Sequence, residues 1–375
     1  MDFDLTDDQR LLTDSVTRLL ADQYGFEQRK SLLKTPMGWS ERLWSQYAEL
    51  GLLGLPVPEE YGGFGGGPVD VMLLMQAFGR HLVLEPYLAS VVLGGTAVRL
   101  AGDDAQREEI LSGLAAGETK LAFAHGERQS RYDLTDVLTT ATPDGGAYRL
   151  EGAKSVVLHG DCADRLVVSA RTAGGRDEAE GISLFLVDAE APGLARRGYA
   201  LRDGTRAAEL SLSNVPATLL GERDAALPVI ERVVEAGIAA TAAEVIGAME
   251  AMQAMTLDYL KTRQQFGRPI GDNQALQHRA AEMLVAMEQG RSMAMLAAMM
   301  VEEPDAGERA RNIARAKVGV GQAGRFVSQN AVQLHGGIGM TEEYAIGHFF
   351  RRVMVIEHLF GDTAYHLDRL ADEVE

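Results

Sequence analysis

The sequence predicts an α+β fold in which a β-rich middle segment separates two helical regions. From residue 4 to about 119, apolar residues recur at the three- and four-residue spacing of helices. Between about 121 and 220 the chain instead has short β-rich runs, such as SVVLHG, RLVVSART and GISLFLVDAE, separated by glycine-containing turns. Helical spacing returns from Ala225 and lasts to the C-terminus. The predicted domains are an N-terminal helical domain 1–119, a central β-barrel domain 120–224 and a C-terminal helical bundle 225–375.

Each part has its own supporting pattern. In the first helical region, the loop PVPEEYGGFGGGP at 56–68 lacks the strand and glycine pattern of a phosphate-binding loop, so we interpret it as a plain connection. The middle segment has DGG and AGG turns between its strands. The last region carries methionines at helical intervals, which we interpret as packing between bundle helices.

Composition narrows the class of protein. A formal net charge of −18 argues against binding to duplex nucleic acid, because the phosphates would be repelled. Cys162 is the only cysteine, which excludes an intramolecular disulfide and favours a reducing compartment. The acidic start MDFDLTDDQR does not resemble a secretory leader, and the longest apolar run, SMAMLAAMMV, is too short to span a bilayer. We therefore expect a cytoplasmic protein without a membrane span.

Two motifs stand out in the C-terminal region. QLHGGIGM at 333–340 has three glycines inside an otherwise helical stretch, where each weakens the helix by about 1 kcal/mol relative to alanine. The other is YLKTRQQFGRPIGDNQ at 259–274. Together with DFDLTDDQRLL and LGLPVPEEYGG near the start, and in this order, they resemble the acyl-CoA dehydrogenase family over essentially the whole chain.

The resemblance implies a fold and a cofactor. The family fold is an N-terminal helical domain, a central β-barrel and a C-terminal four-helix bundle, and its members are FAD enzymes, usually dimers of dimers. The family chemistry implied here uses FAD and no metal. In the family, the two C-terminal motifs reach across the dimer to the adenosine and pyrophosphate end of the neighbour's FAD. The matching residues here are Arg263, Phe266, Gln274, Gln333, Gly336 and Gly337.

Glycine leaves room for a dinucleotide to lie against the main chain, and an arginine can give charge-assisted hydrogen bonds to pyrophosphate. The alternative for Arg263 is a salt bridge on the helix surface.

The catalytic base that the family uses has no counterpart at its two usual positions. These positions fall on Phe360, in HLFGDT, and on Gly237. Glu244, two helical turns after Gly237, is a candidate base because burial among apolar residues could raise its pKa. Its alternative is a structural glutamate paired with an arginine on a neighbouring helix. Asp362 is a weaker candidate.

The half of the site that holds the flavin ring in relatives is also altered. His125, Val156 and Leu158 stand where the resemblance places a threonine, a tryptophan and a second threonine. This chain keeps the residues that contact the neighbour's FAD but lacks those that hold the flavin ring. In this respect it resembles the small subunits of bacterial two-component enzymes of the pimeloyl-CoA dehydrogenase type. We assign His125 and Leu158 to the cofactor-facing set.

Three functions are compatible with these motifs. The first is a subunit of a heteromeric, FAD-dependent acyl-CoA dehydrogenase that completes its partner's FAD site. The second is a self-sufficient homo-oligomer that uses Glu244 as its base, and the third is an inactive scaffold of the same fold. An active enzyme would oxidise an acyl-CoA thioester and pass electrons to an electron-transferring flavoprotein.

Overall fold

The computed structural model of the protein describes residues 5–372, which group into two compact units. The first unit comprises the described parts of Met1–Ser31, Pro68–Val83 and Ile238–Glu375, and the second comprises Leu32–Gly67 and Leu84–Gly237. The predicted order of helices, β-strands and helices is confirmed. The predicted boundaries between three domains stay a prediction.

The helices, in chain order, are α1 Asp7–Gln23, α2 Phe26–Leu32, α3 Glu41–Glu49, α4 Pro68–His81, α5 Thr96–Ala101, α6 Asp104–Ala115, α7 Leu227–Thr262, α8 Gln274–Met300, α9 Ala306–His335, α10 Ala345–Glu357 and α11 Thr363–Asp372. Shorter 3-10 turns lie at Glu59–Tyr61, Ile270–Asp272 and Gly336–Met340, and a buried π-helical segment lies at Leu88–Gly95. The strands are β1 Leu121–Ala124, β2 Thr140–Asp144, β3 Ala147–Leu158, β4 Arg165–Arg171, β5 Ile182–Asp188, β6 Leu194–Ala200, β7 Arg206–Leu220, β8 Gln264–Gln265 and β9 Arg268–Pro269. No helix within 5–372 is long and apolar enough to cross a bilayer.

The core of the first unit lies between the long helices. Met249, Met252, Met283 and Met287 are buried in it, which confirms that these methionines pack between helices. The helix α4 approaches α7 so closely that a Cβ on Gly79 would lie 1.9 Å from the Glu244 carbonyl oxygen. Glycine is therefore required here by packing inside the unit.

The second unit contains a closed β-sheet. Hydrogen-bonded pairing runs β4–β2–β3–β7–β5 and returns from β5 to β4, while β1 adds to β4 and β6 adds to β7. The closure between β2 and β4 uses one residue pair, Thr140 with Arg171. The interior is filled by side chains such as Leu166, Phe185 and Leu210. This arrangement matches the predicted barrel, whose closure removes most exposed strand edges.

Candidate functional site

A hairpin after α7 directly follows Arg263 and carries Phe266 in its turn. Its strands pair Gln265 with Arg268, so Phe266 and Gly267 form a two-residue turn, with φ of 53° and 80°. Such turns need positive φ at both central residues, which glycine adopts readily and phenylalanine does not. The Phe266 side chain is fully exposed. A turn with strained backbone and a fully exposed aromatic side chain indicates a surface that binds a partner or a ligand.

The polar side chains of this region are also exposed. The Arg263 side chain is exposed and makes no hydrogen bond or ion pair within residues 5–372, so the alternative of a surface salt bridge is absent there. Gln274 is the first residue of α8 and is exposed as well. Both side chains are available to an external group.

The glycine motif lies where α9 ends. Gly336 has φ 64° and ψ −141°, a conformation that favours glycine, and it begins the short 3-10 turn. A Cβ built on Gly336 or Gly337 would meet no atom within 4 Å. Gln333 and both glycines are exposed. Unlike Gly79, these glycines are not required by packing within the described chain, which leaves their open face for something outside it.

An aromatic stack connects the two motifs. The Tyr259 ring, one turn before Arg263, stacks on the His335 ring with centroids 4.6 Å apart, and His335 directly precedes Gly336. His335 is buried and its Nδ1 lies 2.8 Å from the Ala331 carbonyl oxygen. Burial lowers the pKa of His335. The stack therefore fixes the end of α9 against the end of α7 and holds both exposed motifs in one region.

The barrel residues lie in the second unit. His125 follows β1, and its Nδ1 lies 2.9 Å from the Ser169 hydroxyl. Val156 occupies an irregularity of β3, with φ 53° and an exposed side chain, although a β-branched residue rarely adopts positive φ. Leu158 is half-buried and pairs with Ala207 on β7. The strand is thus distorted at the position where the resemblance places the tryptophan that covers the flavin.

The two usual base positions contain no carboxylate. Phe360 lies between α10 and α11 with φ 61°, and Gly237 is a buried residue of α7. Asp362 accepts a hydrogen bond at 2.9 Å from the Tyr365 amide and so acts as the N-cap of α11.

Glu244 forms a buried ion pair. Its two carboxylate oxygens accept hydrogen bonds from Nε and Nη2 of Arg352, at 2.6 and 2.7 Å, and both side chains are buried. The structure therefore contains the ion pair of the alternative interpretation, a glutamate paired with an arginine on a neighbouring helix. A base role for Glu244 stays a prediction.

Comparisons with known proteins cover almost the entire chain. Family profiles for the acyl-CoA dehydrogenase N-terminal, middle and C-terminal domains match residues 6–118, 122–215 and 227–375. L-prolyl-[peptidyl-carrier protein] dehydrogenase of Pseudomonas fluorescens is 30% identical over 368 residues, which cover 92% of each chain. The chain belongs to the acyl-CoA dehydrogenase family.

Other members of the acyl-CoA dehydrogenase family are comparably similar. The probable acyl-CoA dehydrogenase YngJ of Bacillus subtilis is 28% identical, over 99% of this chain and 98% of its own. Among solved structures, a variant named Tcur3481-Tcur3483 steroid ACAD is 31% identical with a TM-score of 0.88 and covers 98% of both chains. Family membership identifies an FAD-dependent oxidoreductase fold, and the predicted FAD cofactor agrees with it.

The residues present fit FAD at the adenosine and pyrophosphate end. An unpaired arginine at Arg263 suits an anion, and the open space at Gly336 and Gly337 suits a group that lies against backbone. In the barrel, the fit is limited to His125, because Val156 and Leu158 offer no hydrogen-bonding side chain.

The sequence interpretation missed the buried partners of His125. Lys154 and Glu127 form an ion pair of 2.7 Å inside the barrel, with the lysine fully buried. Neighbouring positive charge and hydrogen bonds lower the pKa of Glu127 to about 2, against the opposing effect of its burial. The signal was available, because a lysine within an apolar β-rich run requires a buried acceptor.

Proposed function

We propose that this chain is a subunit of a heteromeric, FAD-dependent acyl-CoA dehydrogenase and that it completes the FAD site of a partner subunit. The observation that carries this proposal is the exposed, unengaged region formed by the 264–269 hairpin and the glycine motif. A surface of this kind suits a complementary chain or ligand. The absence of a carboxylate at Phe360 and Gly237 supports the same assignment, because the base would then come from the partner.

Each exposed residue has a role in this proposal. Arg263 would bind the pyrophosphate by charge-assisted hydrogen bonds, and Gln333 would orient the adenosine end through its amide. Gly336 and Gly337 carry no side chain, so the dinucleotide would have room to lie against the main chain there. Phe266 would pack beside the dinucleotide. FAD, when bound, supplies the hydride acceptor for the β-carbon of the thioester. The α-proton would leave to a carboxylate of the partner.

Relatives support an assembly of this type. The structure named Tcur3481-Tcur3483 carries two designations, and a further structure, 26% identical over this entire chain, is named as the ChsE4-ChsE5 complex from Mycobacterium tuberculosis. The first is described as a steroid enzyme. We therefore propose a bulky acyl-CoA thioester as substrate and an electron-transferring flavoprotein as acceptor.

Expression with and without a partner tests the proposal. The partner to use is a family member with a glutamate at the position that matches Gly237. We expect the chain alone to be colourless, and the co-purified pair to bind FAD and to oxidise acyl-CoA thioesters with an electron-transferring flavoprotein. A yellow, active chain without any partner would refute the proposal and favour the homo-oligomer that uses Glu244.

Arg263→Ala tests the proposed contact with the pyrophosphate of FAD in the active complex of the two subunits. A hydrogen bond to a charged group contributes about 1.5–3 kcal/mol, so the dissociation constant for FAD should rise roughly 10- to 150-fold. Arg18→Ala, an exposed arginine on α1, is the matched control and should leave FAD affinity unchanged. Equal FAD affinity in both variants would exclude Arg263 from the site.

A further inference from the structure

The side chain of His348 joins separate segments of the first unit. His348 is a buried residue of α10, and its Nδ1 lies 3.2 Å from Nη1 of Arg29 on α2. Arg29 is itself buried and donates from Nε to the Leu82 carbonyl oxygen at 2.8 Å. On the other side of the ring, Nε2 lies 3.3 Å from both the carbonyl oxygen and the carboxylate Oε2 of Glu342. The Phe26 ring packs edge-on against the imidazole, with centroids 4.9 Å apart.

The contacts on the two sides of the ring determine its tautomer. A guanidinium group has only hydrogen-bond donors, so Nδ1 of His348 must accept from Arg29. The carbonyl oxygen and the ionised carboxylate of Glu342 only accept, so Nε2 must carry the proton and donate to them. One form of the ring meets both requirements, a neutral imidazole with its proton on Nε2. In that form His348 connects a buried charge to the chain segment that contains Glu342.

That segment directly follows the glycine motif. Glu342 lies two residues after the 3-10 turn Gly336–Met340. The helix α10 passes close to the same turn, because a Cβ on Gly347, the residue before His348, would lie 3.0 Å from the Gly339 carbonyl oxygen. The aromatic stack at the end of α9 fixes the start of the turn, and the contact between His348 and Glu342 fixes the segment after it.

Protonation of the ring is incompatible with the Arg29 contact. A second proton would occupy Nδ1, so two donors and two positive charges would face each other at 3.2 Å. The charged groups that act on the ring are Arg29 from α2, Glu342 from the segment before α10 and Arg351 from α10 itself. Burial, with the charges of Arg351 and Arg29, lowers the pKa of His348 from its usual value, although the contacts with Glu342 oppose this effect. The ring is therefore neutral at neutral pH and takes up a proton only in acid.

We propose that His348 is a positioning residue for the glycine motif, which it holds in place as a neutral ring and no longer holds when it is protonated. This inference rests on the proposed function, in which the motif binds the adenosine end of FAD, and it adds a regulation of that site by pH. Glu342 keeps its charge in mild acid, because hydrogen bonds from Arg351 lower its pKa. Of the two side chains, only His348 therefore changes charge between about pH 7.5 and 5.5.

Nitrogen NMR of the chain, labelled at histidine and at the backbone amides, tests the positioning without FAD. His366 is an internal reference for the tautomer, because its Nε2 lies 2.9 Å from a backbone carbonyl oxygen and must carry the proton there. We expect His348 to give the same pattern, and acid to shift the amide signals of residues 339–342 together with the ring of His348. In His348→Gln, whose amide can accept from Arg29 and donate to Glu342, these amide signals should not move. The opposite tautomer, or amide shifts that persist in the variant, would overturn the inference.

FAD titration of the assembled enzyme tests the consequence for the site. His348→Phe removes the hydrogen bonds on both sides of the ring and should raise the dissociation constant for FAD at neutral pH by about 5- to 150-fold, the usual range of coupling between two sites. His348→Gln should restore the affinity and abolish its loss in acid, which in the wild type can reach about tenfold per pH unit. His358→Gln, the same change at an exposed histidine, is the matched control and should keep the wild-type pH profile. A wild-type pH profile in His348→Gln would overturn the inference.

Failure of this inference is distinguishable from failure of the proposed function. If Arg263→Ala leaves FAD affinity unchanged, the proposed function is wrong, and the amide shifts of residues 339–342 still decide whether His348 positions the glycine motif. If Arg263→Ala weakens FAD binding and the His348 variants do not, the FAD site stands and the positioning role of His348 is wrong.

Discussion

Substitution of Glu244 tests how the first unit is held together. Glu244→Gln keeps the shape of the side chain but removes its charge from a pair in which both groups are buried and joined by hydrogen bonds of 2.6 and 2.7 Å. Arg352 would then keep its charge in the interior without its carboxylate. Breaking a buried pair by removing one partner destabilises a protein by about 3–5 kcal/mol.

The assay is equilibrium unfolding in urea, followed by circular dichroism of the helices. Glu231→Gln is the matched control, because it makes the same chemical change at an exposed position of the same helix. We expect it to alter the free energy of unfolding by no more than about 0.5 kcal/mol. Arg352→Met and the double variant complete the cycle. The double variant should be more stable than the sum of the single changes predicts, by about 1–3 kcal/mol.

Two results would refute this reasoning. If Glu244→Gln had the same free energy of unfolding as Glu231→Gln, the ion pair would contribute nothing to stability. A single-turnover rate of flavin reduction that falls by ~10²–10⁴-fold at matched FAD content would assign Glu244 the role of base. If the base comes from a partner, that rate should stay nearly unchanged in the folded fraction.

Four further substitutions have defined outcomes. Gly337→Ala should leave the free energy of unfolding of the chain unchanged but weaken FAD binding in the assembled enzyme. Gly79→Ala should instead destabilise the chain itself, because its Cβ would lie 1.9 Å from a carbonyl oxygen. Thermal unfolding and FAD titration distinguish the two variants. Phe266→Ser should reduce association measured by analytical ultracentrifugation without lowering stability, and an unchanged association constant would contradict the assigned surface. Because the pKa of His125 is lowered from its usual 6.5 to about 3, the unfolded chain binds the proton first, so stability present above pH 6.5 is lost as the pH falls toward 3. His125→Gln should remove a slope of about 1.4 kcal/mol per pH unit in that window, which urea unfolding at several pH values measures.

The fold could be predicted from the sequence because its signals are local. Helical spacing, short β-rich runs and glycine turns each depend on neighbouring residues, and they identified the order of helices and strands. The buried methionines followed from the same spacing. The closure of the barrel through Thr140 and Arg171 depends on residues far apart in the chain, and no local pattern indicates it.

The candidate site was predictable only where a motif marks it. Arg263, Gly336 and Gly337 belong to motifs, and the structure leaves all three open to an external group. The partner of Glu244 lies 108 residues further along the chain, so the sequence indicated that an arginine was possible but not which one. The Lys154 network, which also includes Glu127 and Ser169, was missed because its members come from separate strands and loops that only the folded barrel brings together.

The acidic side chains near the two empty base positions are occupied by structural contacts. Asp362 caps α11, and Glu244 is paired with Arg352. Glu357, one turn before Phe360, accepts from Thr363 with one oxygen, while its other oxygen has no partner within the described residues. That oxygen belongs to a side chain that lines a cavity of about 10 Å³, which has room for about one water molecule and none for an acyl chain. A base supplied by Asp362, Glu244 or Glu357 would therefore require one of these contacts to break or the cavity to open, whereas a base supplied by a partner requires neither.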